Sequence, residues 1–233
     1  MTFAVRPIGL VKTGFVWTPT ISADVTNWVL YSQAIAAGWD GVTPLDAIVT
    51  VSSGIVLSAN STSLYGFDTG TGFPAGTTLK LIMPGYVCGM GGAGGAEWTA
   101  GSNGGPALRA QYAISIDAAG GVIGGGGGGG GGNRSGGGGG RSGRTNAAGG
   151  TGTPTGASGT FSSGGSGGGG GGGAGGTTGP GGAGSWGGGG GGGGWGASGG
   201  DTGSYAGGTG GAAVVGNSYI TWINTGTRYG AIT

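Results

Sequence analysis

The chain has 233 residues, of which 74 are glycine; 6% are charged, none is histidine and one is cysteine. The net charge of +1 is too flat for a protein that works by neutralising nucleic-acid phosphates. The histidine and cysteine counts exclude zinc fingers, histidine-based triads, CxxC redox pairs and internal disulfides. Collagen is excluded too, because it needs a strict G-X-Y period and far more than 8 prolines.

Disordered chains are usually highly charged and poor in aromatics, whereas this one carries 7 Trp, 7 Tyr and 5 Phe. The N-terminal MTFAVRPIGLVKTGF lacks the apolar core of a signal peptide, and no apolar stretch is long enough to span a membrane. The expectation is a protein that remains in the cytoplasm where it is made, or leaves by a route other than secretion, and is not membrane-inserted.

Glycine divides the chain. Residues 1–87 hold 10 of the 74 glycines and residues 88–233 hold the rest. This predicts a domain boundary near Cys88. In the first part, Ser22 or Asp24 is a candidate cap for a helix over 24–37, with apolar positions Val25, Trp28, Val29, Ile35 and Ala36, and Gly38 at the C′ position. Residues 46–57 read as strand, turn, strand; residues 68–78 carry turn chemistry; residues 79–83 return to strand. A unit this small buries only about 60–65% of its unfolded surface, so it is expected to lean on something else.

A weak internal repeat crosses the boundary. Segments 48–57, 79–88, 113–123 and 220–229 each join a β-prone stretch, a short turn and a second β-prone pair. Their separations are too irregular for a solenoid to be read from sequence. They are compatible with short strands stacking or pairing at the base of the glycine region.

The glycine runs are long: 124–132, 136–140, 167–173 and 187–194. Each glycine in a regular helix or strand costs about 0.5–1 kcal/mol relative to alanine. The region is therefore either a flexible linker or a structure held by its own backbone. The second option has a known geometry, the extended helix with three residues per turn, whose peptide groups project sideways and pair between neighbours when no Cβ intervenes. Segments of different chemistry interrupt the runs: 97–99, 133–135, 141–146, 151–163, 185–186 and 195–205. That alternation of rod and loop favours order, since a linker has no use for Trp186 and Trp195.

Glycine patterns match dinucleotide fingerprints dozens of times and so carry no information. Arg134, Arg141 and Arg144 fall in a stretch, 118–200, without an acidic residue. They are too few, and in the wrong triplets, for RNA binding of the Arg-Gly-Gly type. They read either as a solvated loop or as a loop facing an anionic partner. Trp98, Phe161, Trp186, Trp195 and Tyr205 are either lids packed over the glycine segments or exposed anchors, with Asn133 and Asp201 among the polar residues beside them. Trp17, Trp28 and Trp39 are either core or anchors for a partner. The seven acidic residues form no catalytic pair and no base stands ready for a Ser or Thr, so neither enzyme activity, a metal nor a cofactor is expected. Cys88 lies in an apolar stretch and reads as a buried small residue.

Three features together carry a resemblance. A segment from Asp68 through Phe73-Pro74 and Leu79 to Cys88 leads into glycine, the glycine runs are split by short variable segments, and the ending is Ala212-Ala-Val-Val-Gly-Asn-Ser-Tyr-Ile-Thr-Trp-Ile-Asn-Thr-Gly226. This resembles the distal tail-fibre adhesins, or receptor-recognition proteins, of T-even-type bacteriophages, over about residues 46–233. The resemblance implies a mostly non-α fold: a small N-terminal attachment domain (1–87) with short strands and one helix, then a receptor-binding sandwich of polyglycine II helices (88–233) ending in a β-prone segment (212–233). It implies a virion component with two partners. One is the trimeric tip protein of the long tail fibre, met by Trp17, Trp28 and Trp39. The other is an outer-membrane protein or lipopolysaccharide of a Gram-negative host, met by Trp98, Asn133, Arg134, Arg141, Arg144, Phe161, Trp186, Trp195, Asp201 and Tyr205. The alternative is a structural glycine-rich coat or antifreeze-like protein without receptor specificity. The lack of regular repeats and the bulky aromatic interruptions weigh against it.

Overall fold

The computed structural model describes residues 14–233. It is strand-rich and mostly non-helical, with one short α-helix, α1 (Leu30–Ala36), and one 3-10 turn at Asn217–Tyr219. Fifteen strands fall into three sheets, and every pairing between named strands is parallel.

The chain visits the three sheets in turn and then repeats. The first coil is β1 (Phe15–Trp17) and β2 (Thr20–Ile21) in sheet A, β3 (Val25–Thr26) in sheet B and β4 (Trp28–Val29) in sheet C. The second is β5 (Leu45–Val51), β6 (Val56–Ser58) and β7 (Phe67–Asp68). The third is β8 (Thr78–Ile82), β9 (Tyr86–Cys88) and β10 (Leu108–Arg109), and the fourth β11 (Ile114–Asp117), β12 (Val122–Gly124) and β13 (Val214–Val215). The fifth is β14 (Ile220–Asn224) and β15 (Thr227–Tyr229), closed by a parallel bridge from Ile232 to Val214. The result is a three-sided parallel β-solenoid. Parallel neighbours normally need a long crossover; here the crossover is the rest of the coil.

Stacked rows of apolar side chains fill the interior. Val49, Leu81, Ile116 and Trp222 are register partners along sheet A, Leu57, Val87 and Ile123 along sheet B, and Trp28, Phe67, Leu108 and Val214 along sheet C. All but Trp222 are buried and belong to one core cluster. Burying each such side chain contributes about 1.5–3 kcal/mol, and the alternation along β5, where Leu45, Ala47, Val49 and Val51 point in, is what fixes its register.

The weak repeat in the sequence corresponds to β5–β6, β8–β9, β11–β12 and β14–β15. The corner between sheets A and B is always short (52–55, 83–85, 118–121, 225–226), so that pair of strands recurs visibly. The corner between sheets B and C grows from 59–66 to 89–107 and then to 125–213. The glycine region is therefore two excursions from one corner of the third and fourth coils. The compositional boundary at 87/88 falls inside β9, and the strands after it continue the sheets begun before it.

The helix expected over 24–37 is confined to 30–36. Val25, Thr26, Trp28 and Val29 join the sheets instead, where β-branched and aromatic side chains pack well. Asp24 does not cap a helix; it accepts a hydrogen bond from the Val56 N–H and pairs with Arg144. Gly38 does end α1, at φ +100° with its N–H donated to Ile35 O. Cys88 is fully buried, and burial pushes its thiol up to about 12, which leaves it neutral and inert at physiological pH.

The glycine segments are held by backbone bonds between them. Along 124–132 the donors turn with a period of three. Gly126, Gly129 and Gly132 donate to Gly105, Ser102 and Thr99; Gly127 and Gly130 donate to Arg141 and Gly138; Gly128 and Gly131 donate to Ala197 and Gly200. The carbonyls of Gly127 and Gly130 accept from Gly92 and Gly95, those of Gly126 and Gly129 from Gly211 and Gly208, and those of Gly128 and Gly131 from Gly193 and Gly190. One run is thus ringed by six others, at N–O distances of 2.7–3.0 Å.

This packing leaves no room for a Cβ. A methyl at Gly128 would collide with the Gly208 carbonyl, whereas nothing lies near a Cβ at Gly170. Gly128→Ala is expected to destabilise the protein by about 3 kcal/mol, the upper range for overpacking. Gly170→Ala should be neutral, or stabilise by roughly 0.5 kcal/mol through the unfolded state. Thermal unfolding of the two variants checks this, and equal melting temperatures would show that the central run is not packed.

Candidate functional site

Successive glycine segments reverse direction, so their turns alternate between two ends. The pairs Gly164–Gly176 and Gly167–Gly173 show one such reversal, around 169–171. From β12 onward the turns at 133–135, 151–155, 169–171, 185–187 and 202–205 fall at the end far from the solenoid, with 97–98 from the first excursion. The turns at 141–146, 161–163, 177–180 and 195–196 fall against it.

At the far end the side chains gather. Trp98 donates its N–H to Asn133 O, Thr153 to Arg134 O and Ser135 to Gly187 O, at 3.0–3.2 Å. The Trp98 and Tyr205 rings lie 6.2 Å apart. Asp201 ties the neighbouring turn by accepting from Gly207 N–H at 2.8 Å, and Thr202 N–H donates to Tyr205 O. Of the ten expected receptor residues, six come together here: Trp98, Asn133, Arg134, Trp186, Asp201 and Tyr205. Trp98 is 47% exposed and Trp186 is 100% exposed. Both hold left-handed backbone, at φ +61° and +49°.

The other four form the junction with the solenoid. Arg141 lies over the Trp195 ring, 3.5 Å from its centroid, and donates to Phe161 O at 2.8 Å and Thr177 O at 2.6 Å. Burial lowers its guanidinium from the ordinary arginine range. Phe161 packs edge-on to Trp195 at 5.4 Å and to Tyr86 of β9 at 5.3 Å. Arg144 stands over Phe161 at 4.7 Å and forms an ion pair with Asp24, Nε to Oδ2 2.6 Å. Trp195 also meets Tyr229 of β15 and is only 4% exposed.

Arg141, Arg144, Phe161 and Trp195 thus lie at the end opposite the first six, where their side chains contact one another and residues on or beside sheet B; Trp195 is buried there, Arg141 and Phe161 are half-buried and Arg144 is exposed. Trp195 Nε1 is buried without an acceptor among the described residues, so packing and the Arg141 cation set the ring position. Sequence composition did not separate the two groups, because both ends use Trp, Arg and Ser. Counting the reversals from β12 would have done so, since every second interruption returns to the solenoid. Tyr86, Tyr229 and Asp24, which complete the junction, carried no signal of that role.

Trp28 and Trp39, the other two expected fibre anchors besides Trp17, are buried in the apolar cluster. Trp17 is half-buried and stacks on Trp28 at 6.2 Å and 4°. Asp68, buried on sheet C, receives Nε of Arg109 at 3.1 Å and Nε2 of Gln111 at 3.1 Å, and this bonding raises the Arg109 pKa. Among the described residues no group of His, Cys, Asp or Glu is placed to hold a metal, and no helix is long and apolar enough to cross a membrane.

A solenoid carrying side excursions that end in exposed aromatic turns is the architecture of a presenting scaffold. The model of the family "Phage tail fibre adhesin Gp38" matches residues 17–233, and the chain belongs to that family, a component of the phage particle. Among solved structures it is similar to the gp37-gp38 adhesin tip complex of the bacteriophage S16 long tail fiber, at 24% identity and a TM-score of 0.69, with 94% of this chain and 82% of that chain covered. No curated protein sequence matches the chain.

The junction yields a stability prediction. Arg141→Met keeps much of the bulk but removes two charged hydrogen bonds and the cation over Trp195, and is expected to cost about 3 kcal/mol. Arg141→Lys should recover only part, because an ammonium cannot fork to two carbonyls from one plane. Denaturant unfolding measures both; a loss below about 0.5 kcal/mol in the Met variant would mean the junction does not depend on Arg141.

Proposed function

We propose that this chain is the receptor-binding tip of a phage tail fibre. In this reading the solenoid fastens it to the fibre protein. The far end of the glycine region binds a surface component of a Gram-negative host, an outer-membrane protein or lipopolysaccharide. Trp98, Trp186 and Tyr205 act as aromatic anchors, and Asn133, Arg134 and Asp201 as polar contacts. The glycine segments act as packed polyglycine II helices, a reading supported by the three-residue period of their hydrogen bonds and the ring of six neighbours. The protein acts by binding, not catalysis: Asp24, Asp46, Asp68 and Asp117 are each engaged with a structural partner.

The observation that carries this reading is the backbone of the two tip tryptophans. A left-handed conformation costs a non-glycine residue roughly 1–2 kcal/mol. In a region built of glycine, a Trp at such a position opposes folding, and at Trp186 the fully exposed ring makes up none of that cost by burial. A side chain kept at that cost is kept for a partner. A coat or antifreeze-like role gives no reason for it. Rigid aromatic anchors beside adaptable polar groups are the chemistry of binding loops, and stiff rods beneath them limit the ordering entropy on binding.

Trp186→Gly therefore separates function from folding. It should leave the melting temperature unchanged or raise it, while weakening adsorption of the protein to host cells by about thirtyfold, the loss expected of a hot spot worth about 2 kcal/mol. Trp98→Gly should act in the same direction on adsorption. Normal adsorption by both variants, and by the double variant, would remove the tip from the receptor site.

A further inference from the structure

An open cavity of about 510 Å³ lies where the turn 141–146 comes down on the first two coils. That volume falls within the range of small-molecule sites, about 300–1,000 Å³. Both parts of the protein build it. The solenoid side contributes Asp24, Thr26, Trp28, Gln33 of α1 and Ser58 of β6, and the glycine region contributes Arg144. Gly143 sets the approach of that turn: it packs so closely on Ser58 and Cys88 that a Cβ there would collide. This contact brings the neighbouring Arg144 to the cavity.

The polar groups of the cavity are only partly used. Asp24 accepts from Val56 N–H at 2.8 Å through Oδ1 and from Arg144 Nε at 2.6 Å through Oδ2. The Phe161 ring lies 4.7 Å from the same guanidinium, which is thus held from two sides. Among the described residues, its terminal nitrogens, the Gln33 amide and the hydroxyls of Thr26 and Ser58 make no hydrogen bond. Ser58 is fully buried, where an unmade bond is costly. Thr26, Gln33 and Arg144 are exposed, so a ligand can reach them. Val25 and Trp28 supply apolar surface between these groups.

We propose that this cavity is a lateral saccharide site that takes a neutral sugar unit of the host envelope. Its role on the cell rests on the adhesin reading above. The cavity holds one carboxylate and one guanidinium, so it has no net charge with which to select an anion. An arginine already paired at 2.6 Å attracts a second anion only weakly. What remains is a set of acceptors, Asp24 and Gln33 Oε1, and donors, Arg144 and Gln33 Nε2, beside hydroxyls that act as both. Vicinal sugar hydroxyls are themselves donor and acceptor at once and match that set, while the C–H face of the ring covers Val25 and Trp28. Arg144 is in place before binding, which limits the ordering cost. The aromatic tip lies at the opposite end of the glycine segments. A polysaccharide chain rising from the membrane beside a receptor reaches this flank while the tip engages the receptor, and the two contacts reinforce each other through avidity.

Calorimetric titration of the full chain tests this with three probes: lipid-free polysaccharide released from the lipopolysaccharide of the bacterium on which the phage grows, glucuronate, and inorganic phosphate. Saturable binding of the polysaccharide is expected, undiminished by an excess of either small anion. Gln33→Ala and Thr26→Val change exposed positions, and their melting temperatures report that the fold survives. Each should weaken polysaccharide binding at least tenfold. Val16→Glu, exposed on sheet A and outside the cavity, should leave it unchanged. Absence of polysaccharide binding, wild-type binding by both cavity variants, competition by glucuronate or phosphate, or loss of binding once the adjoining fibre protein is in place would each overturn the inference. Host adsorption is read separately. Polysaccharide binding by a wild-type protein that does not adsorb to cells would overturn the adhesin reading and leave the cavity supported; adsorption without polysaccharide binding would do the reverse.

Discussion

Everything in the glycine region depends on pairing backbone groups where no side chain exists to bury. Folding a glycine residue loses more conformational entropy than folding any other, and here dispersion and hydrophobic burial contribute little in return. The compensation is that each peptide in 124–132 donates outward in one of three directions and accepts from three more. Closeness and bonding are one requirement, since the distances that allow the bonds are the distances that forbid a Cβ. Buried peptide groups must be bonded in any protein; in this region that demand replaces the hydrophobic core as the organising force.

Such a bundle needs a rigid starting point, and the solenoid provides one. β9 and β12 run directly into glycine, so the first segments inherit their direction from sheet B, and Gly89 N–H continues the ladder by donating to Gly124 O at 2.8 Å. The Arg141–Trp195–Phe161 cluster then clamps the returning turns onto Tyr86 and Tyr229. The two parts use opposite chemistries, apolar rows in the solenoid and hydrogen bonds between peptide groups in the bundle. The junction uses both, with an arginine that stacks on rings and bonds to carbonyls.

What the sequence revealed follows from which signals are local. Strand pairs joined by short corners were legible as the repeat at 48–57, 79–88, 113–123 and 220–229, and Gly38 was legible as a helix stop. The solenoid itself was not, because its third side consists of two-residue strands separated by inserts of very different length. The helix is shorter than the sequence suggests because Val25, Trp28 and Val29 suit a helix face and a strand equally, and only their partners in sheets B and C decide. Trp186 and Trp195 look alike in sequence. Their separation into surface and interior follows from chain direction, a property of the whole path rather than of either residue's neighbours.

The placement of the large excursion inside the fourth coil has a consequence for the order of events on the ribosome. Strands β1 to β12 are complete before residue 125 is made, but β13, β14 and β15 follow residue 213. An unstructured loop of that length opposes closure by a few kcal/mol of entropy. A folded bundle removes that cost by returning its ends together, as the bond from Gly211 N–H to Gly126 O at 2.8 Å records. Condensation of the glycine region thus lowers the entropic cost of bringing β13 back to the third side. The third side of the solenoid therefore depends on the glycine region: a chain whose segments 125–213 fail to pair does not bring β13 back beside β10.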